Sequence, residues 1–156
     1  MIKKVEFAVP PHIKKFIEGT YDVTDKGFVK VEKRSELGRL IEFVERVDPY
    51  PKKYKADANL PVLKIQYYDE SYSTYFPIDK IKEFCNLLDA EFRRALVCEV
   101  RSVHEYSRVE DYTPFVRRFL DRYGIIPDVD IEMETARKVY RDYLVKISRN
   151  FHKNFS

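Results

Sequence analysis

Cations that recur at helical spacing are the residues of this chain whose type and pattern could do chemistry. Arg117, Arg118 and Arg122 fall on one apolar-periodic segment, and Arg137, Lys138, Arg141, Lys146, Arg149 and Lys153 on the next. Two helices with a basic outer surface suit phosphate contact, and one of them can lie in a DNA groove. The same pattern fits a solvated face balanced by Asp121, Asp142, Glu132 and Glu134. The connection from Gly124 to Asp130 is also longer than that of a helix-turn-helix. On the first reading Arg117, Arg118, Arg137, Lys138, Arg141 and Lys146 contact phosphates.

A second group is aromatic. Tyr67, Tyr68, Tyr72 and Tyr75 crowd one expected hairpin. Tyr-rich surfaces favour protein interfaces, though such rings also cover a core while their hydroxyls meet water. The run Tyr50, Lys52, Lys53, Tyr54, Lys55 interleaves charge with stacking surface, as single-strand binders do, but a run this short is far more often a plain exposed loop. His12, His104 and His152 are scattered without Cys or carboxylate at ligand spacing. The sequence has no Gly-rich phosphate cradle, nucleophile elbow or HExxH. Neither catalysis nor a metal or other cofactor is expected.

Composition sets the frame. At 156 residues, with 35% charged and 15% aromatic, one domain with a real core is expected. The net charge of +3 is mild. Residues 113–156 hold 9 basic and 6 acidic side chains, against 6 and 8 in residues 78–112. Cys85 and Cys98 share one expected helix, roughly 20 Å apart, so they read as small buried hydrophobes of a reducing compartment. No signal peptide or membrane-length apolar run is visible. These features predict the cytoplasm, or a virion for a phage component, and no membrane partner.

These residues need elements to position them, and the principal one is Ile78 to Tyr106. Ile78, Ile81, Phe84, Leu88, Phe92, Ala95, Leu96, Val100, Val103 and Tyr106 repeat mostly in steps of three or four, with Leu87 and Val97 widening the stripe. Pro77 stands before the helix, Asp79 suits its first turn, and the rod is roughly 40 Å long. Its stripe is expected to serve the chain's own core or, alternatively, to be shared between two chains. Upstream, Val5, Phe7 and Val9 alternate as a strand. Pro11 opens a short helix that Gly19 can stop, and Phe28 to Val31 forms a second strand. Ser35 caps a helix carrying Leu37, Leu40, Ile41, Val44 and Val47, with Gly38 inside it at some cost. Val62–Tyr67 and Tyr72–Phe76 are expected to pair as a hairpin. Downstream, Thr113 and Pro114 open one helix and Gly124 ends it. Asp128 and Asp130 introduce a last helix that buries Ala136, Val139, Tyr140, Tyr143, Leu144, Ile147 and Phe151.

The expected fold is α+β: a small antiparallel sheet packed on a long central helix, with a C-terminal helical pair. The expected organisation is a single domain, 1–156. Residues 1–77 form its β-containing half and 78–156 its helical half, with 113–156 completing the core or standing off as a helical subdomain.

The stretch Pro11-His12-Ile13-Lys14-Lys15-Phe16-Ile17 resembles the start of a family of small uncharacterised proteins of bacterial prophages and mobile elements. Phe115 to Ile125, followed by Tyr140-Arg141-Asp142-Tyr143, is similar to their C-terminal end. The resemblance carries no chemistry with it. It implies only a setting among genes for DNA handling, regulation or particle assembly. The expectation is a non-enzymatic DNA-binding accessory or regulatory protein of a phage or mobile element. The alternative is a protein–protein interaction or structural assembly module, with a protein partner or self-association.

Overall fold

The computed structural model describes residues 1–47, 54–70 and 74–155. The fold is α+β, with a small sheet and a long central helix. The chain forms two compact units, Met1–Asp89 and Ala90–Ser156. The helix α3 (Ile81–Ser107) contributes its start to the first and its remainder to the second.

The first unit is built on a three-stranded sheet in the order β1-β4-β2. Strand β1 (Ile2–Ala8) ends before Pro10 and Pro11, as the two prolines require. It pairs antiparallel with β4 (Val62–Tyr68), whose buried Leu63, Ile65 and Tyr67 alternate with less buried neighbours. Strand β2 (Val29–Val31) runs parallel to β4 on its other side. Helix α1 (Pro11–Thr20) starts with Pro11 in its first turn and buries Ile13, Phe16 and Ile17. It continues past Gly19 to Thr20, whose hydroxyl donates to the Phe16 carbonyl at 2.8 Å.

Helix α2 (Glu36–Val44) is capped by Ser35, whose hydroxyl accepts from the Gly38 amide at 3.0 Å. Gly38 is there for space. A Cβ at this position would stand 2.1 Å from the Glu32 carbonyl oxygen, so only glycine lets the helix come so close to the preceding turn. The helix ends earlier than its apolar spacing predicts. Val47 belongs instead to a two-residue strand, β3 (Arg46–Val47), antiparallel to β5 (Thr74–Tyr75). The expected hairpin between Val62–Tyr67 and Tyr72–Phe76 is corrected by the same pairing. β4 spends both edges on β1 and β2, and β5 finds its partner in β3.

Leading into α3, Ile78–Lys80 form a single 3₁₀ turn. Asp79 pairs with Arg46, and Pro77 occupies the cap position. Within the first unit Phe84 packs edge-on against Phe7 and Phe76, at centroid distances of 5.6 and 5.0 Å. The buried stripe Ile81, Phe84, Leu88, Phe92, Leu96 and Val100 follows the predicted spacing. It stops short of the predicted end, because Tyr106 is 90% exposed. Leu87 and Cys98 are exposed, and Cys85 is half-buried. The expectation of two buried thiols is corrected accordingly.

In the second unit α4 (Thr113–Arg122) and α5 (Met133–Phe155) accompany the later turns of α3. Val116, Phe119, Leu120, Ala136, Val139 and Tyr140 are buried with Phe92, Leu96 and Val100. The burial of α5 stops early. Tyr143 and Leu144 are half-buried, whereas Ile147 is 41% and Phe151 59% exposed. The last two were expected on its buried side. The apolar spacing continues there, but the residues that carry it remain in solvent.

Candidate functional site

The α4–α5 connection fixes where the cations of both helices point. Asp111 accepts the Thr113 amide at 3.0 Å, and Pro114 occupies the first turn. Gly124 closes α4 at φ +66°. Its amide reaches the Asp121 carbonyl while the Ile125 amide reaches Leu120, both within 3.1 Å. This pair of hydrogen bonds is the left-handed C-terminal cap that favours glycine. Asp128, also left-handed at φ +64°, accepts the Met133 amide at 2.9 Å. Asp130 accepts the Ile126 amide at 2.7 Å. Both loop carboxylates hold backbone amides and thereby set the start of α5.

The six predicted cations do not act alike. Arg137 and Arg141 both bond Glu134, at 3.1 and 3.0 Å, and Arg137 also lies 5.7 Å from the Tyr112 ring centroid. Arg118 lines a groove of about 450 Å³ between α3 and α4, with Cys98, Ser102, Phe115 and Arg122 among its walls. Arg122 is committed to Glu99 at 2.5 Å. Arg117, Lys138 and Lys146 are exposed.

A different subset comes together. At about 100° per residue, Lys138, Lys146, Arg149 and Lys153 fall within roughly 80° of arc on α5. Each is exposed, and none forms an ion pair among the described residues. Asp142 is the one acid on that side, and no Asp or Glu follows it in the chain. The four-residue stripe was legible in the sequence as a helical period. Arg137 and Arg141, which sit nearest Glu134, obscured it.

Behind this face the second unit is pinned by His104. Its Nε2–H donates to the Glu110 carbonyl at 3.3 Å, so Nδ1 accepts the Tyr140 hydroxyl at 2.8 Å. Tyr140 is fully buried. Burial first, and the nearby Glu105 and Tyr143 after it, push its hydroxyl up to about 12. Arg101 donates to the Tyr143 hydroxyl at 3.3 Å. The histidine, unassigned in the sequence, thus joins α3 to α5 and to the chain before α4.

The predicted tyrosine interface separates into different roles. Tyr68 is exposed. Tyr72 lies outside the described residues, as does the side chain of Tyr75. Tyr67 is corrected from interface to core: it is buried, and its hydroxyl donates to Glu45. Of the basic loop, Tyr50, Lys52 and Lys53 lie outside the described residues, while the Tyr54 hydroxyl accepts the Ala8 amide at 3.3 Å.

Tyr67 belongs to an ionic cluster that sequence reasoning missed. Lys3 Nζ contacts Asp69 at 2.6 Å, the Thr74 carbonyl at 2.7 Å, the Thr74 hydroxyl at 2.8 Å and Glu45 at 3.5 Å. The Lys3, Glu45 and Asp69 side chains are 8–17% exposed. Burial raises the Glu45 carboxyl above its ordinary value, and Asp69 beside it adds to the rise. Tyr67 and Lys3 act against it. Burial followed by Glu45 raises the Tyr67 hydroxyl as well. The ammonium has only three protons to give and four oxygens around it. The cluster is saturated and offers no free donor to a substrate. Its sequence signal was the period of two: Lys3 shares a strand face with Val5 and Phe7, where a cation needs buried partners.

Among the described residues no group of three or more His, Cys, Asp or Glu could hold a metal ion, and no helix is long and apolar enough to cross a membrane. Comparison with family models, curated proteins and solved structures finds no match to this chain.

Proposed function

We propose that this chain is a nucleic-acid-binding accessory protein that grips the phosphate backbone with the outer face of α5. The observation that carries this reading is the unpaired stripe of Lys138, Lys146, Arg149 and Lys153. Unpaired cations release condensed counterions on meeting phosphates, whereas Arg137 and Arg141 must first give up Glu134. Backbone contacts of this kind position a protein without reading bases, so the reading is accessory rather than sequence-specific. The resemblance to prophage proteins attaches it to a mobile-element setting.

The test is a salt titration on duplex DNA. Four phosphate contacts give a log–log slope near −3.6, from about −0.9 per contact. The variant carrying Ala at 138, 146, 149 and 153 should bind weakly to every sequence and show a nearly flat slope. No retention on duplex DNA at low salt, or equal binding by this variant, would end the proposal.

A second reading is favoured by one observation. Val145 and Ile147 are exposed on the same turns as the cations, and phosphate contact does not require apolar surface. An assembly module would use them against a protein partner. Ile147→Glu should then abolish the association while leaving DNA retention unchanged.

A further inference from the structure

Among the described residues the outer edge of β1 is open from Ile2 to Glu6. In its pairing with β4 the odd residues exchange backbone hydrogen bonds with that strand. The bonds between Asp69 and Met1 (3.0 Å) and between Val9 and Pro61 (3.0 Å) mark the two ends of this series. The amides and carbonyls of Ile2, Lys4 and Glu6 therefore face away from β4. None of these groups has a hydrogen-bond partner among the described residues, and all three side chains are exposed. Among the described residues the edge is closed at its Ala8 end. The Ala8 amide donates to the Tyr54 hydroxyl at 3.3 Å, and its carbonyl faces the Cys85 thiol at 3.9 Å.

A lysine on an edge strand ordinarily discourages pairing. Here the charge pattern does the opposite for one particular occupant. Lys4 and Glu6 lie two apart on the same solvent face, with opposite signs. If a second β1 runs antiparallel across a two-fold axis at Val5, Lys4 of each copy stands opposite Glu6 of the other. Val5 then meets Val5 on the other face. In that register the outward backbone groups of residues 4 and 6 form about four hydrogen bonds. A shift of two residues either way sets Lys4 against Lys4 or Glu6 against Glu6, and the closed group at Ala8 limits one of these shifts. Opposed like charges are unfavourable, so the pattern selects one register.

We infer that this chain self-associates through β1, joining two three-stranded sheets into one continuous six-stranded sheet about a two-fold axis. The occupant of the edge is a second copy because the strand is its own electrostatic complement. An isologous contact needs that property, and a foreign strand would match it only by coincidence.

The experiment is sedimentation of the full chain across a concentration series, with charge swaps. The wild type should show a concentration-dependent dimer. Lys4→Glu and Glu6→Lys, each alone, convert both attractive pairs into repulsive ones and should weaken the dimer about tenfold or more. The double variant K4E/E6K restores opposite charges and should restore the dimer. Amide exchange gives an independent readout: Lys4 and Glu6 should be slow in the dimer and fast in either single variant, with Val5 and Phe7 unchanged. A chain that stays monomeric at about 200 μM would overturn the inference. So would a dimer indifferent to the single swaps, or a double variant no better than the singles.

Discussion

Two regions handle charge in opposite ways. In the first unit a lysine, two carboxylates, a tyrosine and a threonine are withdrawn from water and saturate one another. In the second, the four cations on one side of α5 remain in water with no ion-pair partner among the described residues. The difference follows from what each element must bury. β1 has one face against a core, so Lys3 is carried inward by the strand's alternation and must bring its counter-ions with it. From Val145 to Asn154 α5 is exposed throughout, and its cations face no such constraint. Buried charge fixes the fold here, whereas exposed charge is left available for a partner.

The comparison is broken most directly at Lys3. Lys3→Met leaves Glu45 and Asp69 without their cation, and removing one member of a buried pair costs about 3–5 kcal/mol. Chemical denaturation should register a loss of at least about 3 kcal/mol. A loss under about 1 kcal/mol would mean that the cluster is solvated and that the contrast is false.

A smaller effect sharpens the comparison through pH. Glu45 titrates above its ordinary value of 4.5 in the folded chain. Between that value and the raised one the folded state binds more protons than the unfolded state. Its contribution to stability is therefore complete below about 4.5 and is lost as pH rises through the folded value. Glu45→Gln should remove that segment from the stability–pH profile. Asp111 behaves oppositely. The Thr113 amide holds its carboxyl below the ordinary value of 3.8. Its contribution is present above 3.8 and is lost as pH falls through the lower folded value. If wild type and Glu45→Gln give parallel profiles from pH 4 to 7, the burial of Glu45 has no energetic consequence.

The smallest expected change in stability is at Lys146. Lys146→Ala should alter unfolding by no more than about 0.5 kcal/mol, while its salt slope on DNA falls by about 1. A destabilised variant would move Lys146 from the available charges to the structural ones.

The long helix was legible in the sequence because Ile81, Phe84, Leu88, Phe92, Leu96 and Val100 report a single period with no glycine or proline to break it. Ser35, Pro11 and Gly124 were legible for similar reasons, since cap chemistry is local. The partner of β4 was not. Two adjacent strand-like segments suggest a hairpin, and only tertiary competition decides that β1 and β2 take both edges of Val62–Tyr68. The end of α2 was hidden in the same way, because the spacing of Val44 and Val47 cannot show that β5 will claim Arg46 and Val47. At the candidate site, residue types marked the cations. Which of them remain unpaired depended on the reach of Glu134 across two turns to Arg141 and of Glu99 across to Arg122 on another helix; only the pairing of Glu134 with Arg137, three residues on, follows a spacing rule.

The exposed half of α5 carries one more consequence. Helix turns that bury no apolar face are held mainly by the turn before them, so along the described part of α5 opening should be easier beyond Leu144 than at the buried Val139 and Tyr140. Backbone amides along that stretch should thus trade hydrogen for deuterium in a graded sequence, those beyond Leu144 first. Whatever settles on Lys146, Ile147 or Arg149 would flatten the gradient, making this stretch of α5 an internal gauge of its own occupancy.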